Sequence, residues 1–252
     1  MADKETIQQL DSKTLLRNGR EEAFEAPEDP NIRIWRYMDF IRLVNMLEEE
    51  ALFFRRSDLF EDKFEGTMSQ PLRDYLQKRE VSISLEEYGD VLHRVRSCSF
   101  VNSWHMNEAE SAAMWRVFSS SHQSICIQST YARLRRVLPK DVDIGYVKYI
   151  LYERDQIPFG NAWWPLLHKR KAFEYERELR AVWTDTSSLE CSNRPERDGV
   201  WKPVDLQELI ESIYVSPGGE HWFVKLVKKI LKRYGKDVEV RQSDLASEPL
   251  YY

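Results

Sequence analysis

A chain of 252 residues, 42% hydrophobic and 12% aromatic with eight Trp, carries enough apolar material for a sizeable core and too many aromatics for a disordered polymer. Its net charge of −5 argues against indiscriminate coating of nucleic acid and leaves only local basic runs to consider. Cys98, Cys126 and Cys191 form no CxxC or Cys/His ligand pattern and fit a reducing cytoplasm; no apolar run approaches the ~18 residues of a membrane span, and "MADKETIQQL" lacks the apolar stretch of a signal peptide.

Residues 1–30 are polar and acidic and are expected to be a peripheral segment, with a short helix carrying Ile7, Leu10, Leu15 and Leu16. From 31 to 252 the pattern predicts a single α+β domain, its central sheet largely antiparallel or mixed and flanked by helices. "IRIWRY" (32–37) reads as a strand with Ile32, Ile34 and Arg36 on one face and Arg33, Trp35 and Tyr37 on the other. Asp39 stands as N-cap before "FIRLVNMLEEE", whose Phe40, Leu43, Val44 and Leu47 fall at helical spacing. "ALFFRR" returns as a strand and leads into the loop "SDLFEDKFEG". Two helices follow, one near Ser69 with Pro71 in its first turn, the other from Ser84, where Ser84 and Glu87 have capping-box spacing.

Further on, "SCSFVNSW" (97–104), "SICIQS" (124–129) and "VDIGYVKYILY" (142–152) read as strands, and "EAESAAMWRVFSS" (108–120) and "YARLRRVL" (131–138) as helices. "WWPLLHKRKAF" is expected to be partly helical. "LRAVW" and "SIYV" are strands, 185–199 a loop-like insertion, "EHWFVKLVKKILKRYG" an amphipathic helix closed by Gly235, and "VEVRQS" a last edge strand.

Four regions could carry chemistry. Asp58, Glu61, Asp62 and Glu65 crowd one loop as a metal site would require, but without EF-hand spacing and with Arg56 and Lys63 among them. Asn102, His105 and Asn107 follow a strand and precede a helix. "FEYERELRAV" holds Glu174, Glu176, Glu178 and Arg180 at alternate positions: extended, they share one face and crowd charge; helical over 173–178, the acids are ordinary. The fourth is the basic side of the last helix, which with "RLRR" (133–136) and "HKRK" (168–171) would make a nucleic-acid patch if the three runs met. No GxSxG, P-loop, GxGxxG or HExxH occurs.

Together, "WRYMDF…LFFRRSDLFEDKFEG", "SCSF…AAMWRVFSSSHQSICIQS", "FEYERELRAV" and "IYVSPGG" resemble the bacterial and phage family catalogued only as the domain of unknown function numbered 2971. The resemblance spans about 32 to 219 and departs at Lys63, Phe118, Ser124 and Leu179, where that family has Pro, Tyr, Gly and Trp. It implies a fold and a mobile-element context without an activity.

A more distant similarity is to ADP-ribosyltransferases, with Arg36, Ser129–Thr130 and Glu176-x-Glu178 in their motif order. That resemblance implies NAD as co-substrate, catalysis by Glu178, Glu176 and Arg36, and substrate contacts from Tyr37, Trp115, Ser129 and Thr130; the charged and polar residues Arg56, Asp62, Glu65, Asn102 and Arg180 are expected to complete the same binding pocket. The alternatives are a metal-dependent nuclease using Asp58, Asp62, Glu65 and Glu176, and a non-catalytic sensor or partner-binding module in phage defence, in which the acids and arginines are structural.

Overall fold

The computed structural model describes residues 11–17, 19–78, 82–119, 122–191 and 193–249. The positions expected to carry Ile7 and Leu10 into a helix lie outside them. Two short helices, α1 (Ser12–Arg17) and α2 (Arg20–Ala23), precede strand β1 (Arg33–Asp39), helix α3 (Phe40–Glu49) and strand β2 (Ala51–Arg56). Then come α4 (Gln70–Lys78), α5 (Leu85–Cys98), β3 (Ser99–Met106), α6 (Ala112–Phe118), β4 (Ser124–Thr130), α7 (Tyr131–Val137), β5 (Val142–Tyr146), β6 (Lys148–Ile150) and β7 (His168–Arg170). The chain continues through β8 (Glu178–Thr184), α8 (Thr186–Glu190), β9 (Gly199–Pro203), α9 (Leu206–Leu209), β10 (Ser212–Val215), α10 (His221–Arg233) and β11 (Glu239–Gln242).

Nine of these strands form one sheet in the order β11-β10-β4-β1-β3-β2-β9, with β8 on β3 and β5 on β8. Its pairings are antiparallel apart from β10 with β11, so the fold is the α+β arrangement that the pattern predicts. The sheet forks at β3. One edge of β3 pairs with β8 from Ser99 to His105. The other edge is shared: β1 pairs at His105 and Met106, β2 at Phe100 and Val101. Between them, residues 102–104 have no ladder partner on that edge. Asn102 bridges the gap: its Nδ2 donates to the Phe53 carbonyl (2.8 Å) and its Oδ1 accepts from Trp104 Nε1 (2.7 Å).

The pairing register assigns the faces. Trp35 lies opposite His105, and His105 opposite Glu178, so these three share a face. Ile34, Arg36, Met38, Trp104 and Leu179 point the other way. That second face carries the larger core, closed by Leu43 of α3, Leu134 of α7, Leu206 of α9 and Val227 of α10. The Glu178 face is covered by a separate core that includes Leu15, Leu76, Tyr88, Val182 and Trp163. On the same face as Trp35, a smaller aromatic cluster joins Tyr37, Met114, Trp115 and Tyr214.

Several local expectations are corrected. Helix α5 runs on through Ser97 and Cys98, so β3 starts at Ser99 rather than 97. The segment 142–152 is two strands, because Val147 donates to the Glu178 carbonyl and the chain then leaves β8 to pair with β7. α6 is shorter than 108–120 and is capped by Ser111. Strand β9 was not foreseen. The N-terminal stretch, expected to be peripheral, instead buries Leu15, Ala23 and Phe24. Its passage over β5 requires Gly145, where a Cβ would meet the Phe24 Cα at 2.7 Å.

Candidate functional site

The acids of the "FEYERELRAV" stretch are split between two backbone forms. Lys171–Glu176 is a 3-10 turn, Arg177 is left-handed (φ 41), and β8 begins at Glu178. Glu174 stays at the surface with Lys171. The left-handed step at Arg177, held by its bond to Asn107 (2.9 Å) and by Met106 N donating to its carbonyl (2.9 Å), joins the turn to the strand with Glu176 and Glu178 on one partner.

That partner is Lys169 of β7. Its Nζ pairs with Glu176 and lies 3.4 Å from Glu178 and 3.5 Å from Glu65. Arg180 is the second cation. Its Nε donates to Glu178 (2.8 Å), its Nη1 to the Leu166 carbonyl (2.6 Å), and its Nη2 to both Glu65 and Glu178. Ser103 donates to Glu178 at 2.5 Å, and the Glu178 N–H donates to Tyr149. All three glutamates and both cations are buried. Three carboxylates against two cations leave one formal negative charge.

The charge shows in the titration of the acids. Burial, then the Glu178 charge, raises Glu176 above the ordinary carboxylate range despite Lys169. Burial would also raise Glu178, but Arg180, Lys169 and their hydrogen bonds outweigh it and hold it at about 2. Lys169 is raised: burial opposes its charge, and Glu178 and Glu65 overcome that. His105 donates through its Nδ1–H to the Glu176 carbonyl (2.6 Å), and burial lowers its pKa.

The structure brings together only part of the expected site. Glu65, Glu176, Glu178 and Arg180 converge. Asp62 stands beside them, bound to Arg170 at 3.0 Å. Arg36 does not join: it is on β1 next to Trp35, hence on the opposite face from Glu178, and its guanidinium lies against Trp104 at 5.8 Å. Tyr37 shares the Glu178 face but packs on Trp115 (5.0 Å) and accepts from Ser111 N. Trp115 donates to Glu110. Arg56 is buried on Asp58 and on the Pro195 and Arg197 carbonyls, pinning the 185–199 segment. Asn102 seals the fork. Ser129 donates to the Leu209 carbonyl, and Thr130 caps α7.

The loop acids do not converge on a metal either. Asp58 serves Arg56 and Arg194, Asp62 serves Arg170, and Glu65 serves Arg180. Among the described residues no three His, Cys, Asp or Glu side chains are grouped to hold an ion. The basic runs also separate. Arg133, Arg135 and Arg136 are spent on carbonyls and on Glu208, and Lys169 and Arg170 sit on the face opposite α10.

Sequence reasoning missed Lys169, Ser103 and Tyr149. A signal for Lys169 was present: several glutamates on one strand face demand cations, and "HKRK" is the nearest basic run. Grooves of about 570 Å³ beside α10 and β11 and about 390 Å³ beside Trp183 and Asp143 open elsewhere; neither is lined by Glu176, Glu178 or Arg180. No helix among the described residues is long and apolar enough to cross a membrane. No protein-family model matches the chain, and no curated protein matches it at a meaningful level.

Proposed function

We propose that this chain is a non-catalytic binding module and that its acid cluster is a structural hub. The observation that carries this reading is closure: each buried carboxylate of the cluster is answered by Lys169 or Arg180 from the same chain. A buried ion network with matched hydrogen bonds fixes geometry without needing a substrate. Here it ties the 57–66 loop, β7 and the 171–176 turn to β8. Exposed Ile41 and Trp222, at the starts of α3 and α10, and Val117 and Phe118 on α6 are surface apolar groups available to a partner.

A second reading keeps an NAD-consuming, ADP-ribosyltransferase-like enzyme. It is favoured by Glu176 and Glu178 being driven apart in pKa, the arrangement by which one carboxyl supplies a proton while its neighbour stays ionised. It requires the 171–176 turn to move away and admit substrate.

One experiment separates the two. Purified protein is incubated with NAD, and nicotinamide release and melting temperature are followed beside Glu178→Gln. The module reading expects no release, no NAD-dependent melting shift, and a lower melting temperature for the variant. Nicotinamide release by the wild type that Glu178→Gln abolishes would replace it with the enzyme reading.

A further inference from the structure

The cations drawn furthest from solvent, Arg56, Lys169 and Arg180, each find carboxylates or carbonyls. Arg36 does not. Among the described residues no hydrogen bond or ion pair engages its side chain, and its Nη1 is shut away from solvent without an acceptor. The charge that acts on it most is another cation, Arg42 of α3. Its ring contact among the described residues, Trp104 at 5.8 Å, is near the outer limit of about 6 Å for a cation over a ring. Trp104 itself has its N–H committed to Asn102. Burial and Arg42 push the guanidinium down to about 10, so it remains charged at neutral pH.

Arg36 follows the last β1 residue paired to β3, where the sheet forks. Asn102 closes the β2 side of that fork and leaves the β1 side to Arg36. The side chain remains partly exposed although Nη1 is sealed. A desolvated guanidinium with no counter-charge is unfavourable, and planar N–H forks match oxyanions.

We propose that Arg36, supported by Arg42, holds the oxyanion group of a small ligand at the fork between β1 and β2, on the sheet face opposite the acid cluster. The ligand chemistry is a phosphate or a carboxylate. This site does not depend on whether the acid cluster is catalytic.

The test uses the full chain at fixed ionic strength, with inorganic phosphate titrated in one arm and acetate in the other. Melting temperature and calorimetric heat are read. Wild type is expected to bind one anion saturably, with melting raised by about 3 °C at roughly ten times the dissociation constant. Arg36→Met is expected to lose the shift and, without anion, to melt no lower than wild type, because it removes an uncompensated charge. Arg42→Gln weakens the shift, whereas Lys225→Gln on the exposed side of α10 leaves it intact. A shift in the phosphate arm alone assigns a phosphate-bearing ligand; one in the acetate arm alone assigns a carboxylate. Wild-type calorimetry without saturable heat in either arm, or an equal shift in Arg36→Met, overturns the proposal.

Discussion

Glu176 and Glu178 sit two residues apart on one lysine, yet they are not equivalent. Glu178 is the acceptor for Arg180, Ser103 and Lys169, and losing its charge takes a carboxylate from both buried cations at once, leaving Lys169 on Glu176 and Arg180 on Glu65. Glu178→Gln is therefore expected to cost about 3 kcal/mol, measured by urea unfolding at neutral pH. Glu176 carries the excess charge of the cluster, and Gln there brings two carboxylates against two cations. Glu176→Gln should stay within about 1 kcal/mol of wild type. A larger loss for Glu176→Gln than for Glu178→Gln would contradict this ordering. The sequence indicates that these acids need neutralising, because alternate glutamates along a strand repel. It does not indicate the partner. Lys169 reaches them because β7 pairs with β6 in a small sheet apart from the main one, a long-range choice with no local signature. Arg36 was drawn toward the acids by motif order alone, whereas strand alternation from Trp35 puts it behind the sheet.

The fork and the N-terminal strap are features of elements rather than of single residues. Asn102 replaces a missing stretch of ladder with one side chain. Asn102→Ala would leave the Phe53 carbonyl and the Trp104 N–H without partners at the centre of the sheet. The expected loss is about 2–4 kcal/mol by urea unfolding, with the Trp104 environment altered in near-ultraviolet dichroism. Gly145 makes room for backbone, not for a flexible side chain. Gly145→Ala should lift the strap around Phe24 and cost about 1–3 kcal/mol, with earlier proteolytic cleavage near 20–25 than in wild type. Unchanged cleavage would mean that β5 yields instead. The strands themselves are legible from alternation in "IRIWRY", "SICIQS" and "LRAVW", and α5 from its capping box, which forms. The fork is not, since β1 and β2 both alternate normally and only their shared partner separates them. The strap is not either, because Leu15 and Phe24 are too few to mark a buried segment within an acidic stretch.

At the scale of the whole molecule, one sheet separates two cores, and β3 and β8 contribute to both: Phe100 and Leu179 to one, Val101 and Val182 to the other. Loss of either core disturbs the strands that support its neighbour, so dichroism and tryptophan fluorescence should report one coincident transition. Its pH dependence follows from the buried groups. The Glu178 carboxyl is lower folded than unfolded, so its stabilisation is complete above the ordinary 4.5 and is withdrawn as pH falls toward about 2. Burial lowers His105 and His168 below 6.5, and unfolding then takes up protons in acid; their contribution too is lost as pH falls. Glu176 is raised and works in the opposite direction, its contribution complete below 4.5 and lost as pH rises through its folded value. Wild-type stability is therefore expected to fall from neutral pH into acid in two stages, first with the histidines and then with Glu178. Urea unfolding between about pH 3 and 8 measures this directly. Glu178→Gln should start lower at neutral pH and show a flatter limb below about pH 5, because the group that must be protonated is gone. If its acid limb ran parallel to that of the wild type, the depressed carboxyl would have to be another residue, and the cluster would not be the hub on which the two faces depend.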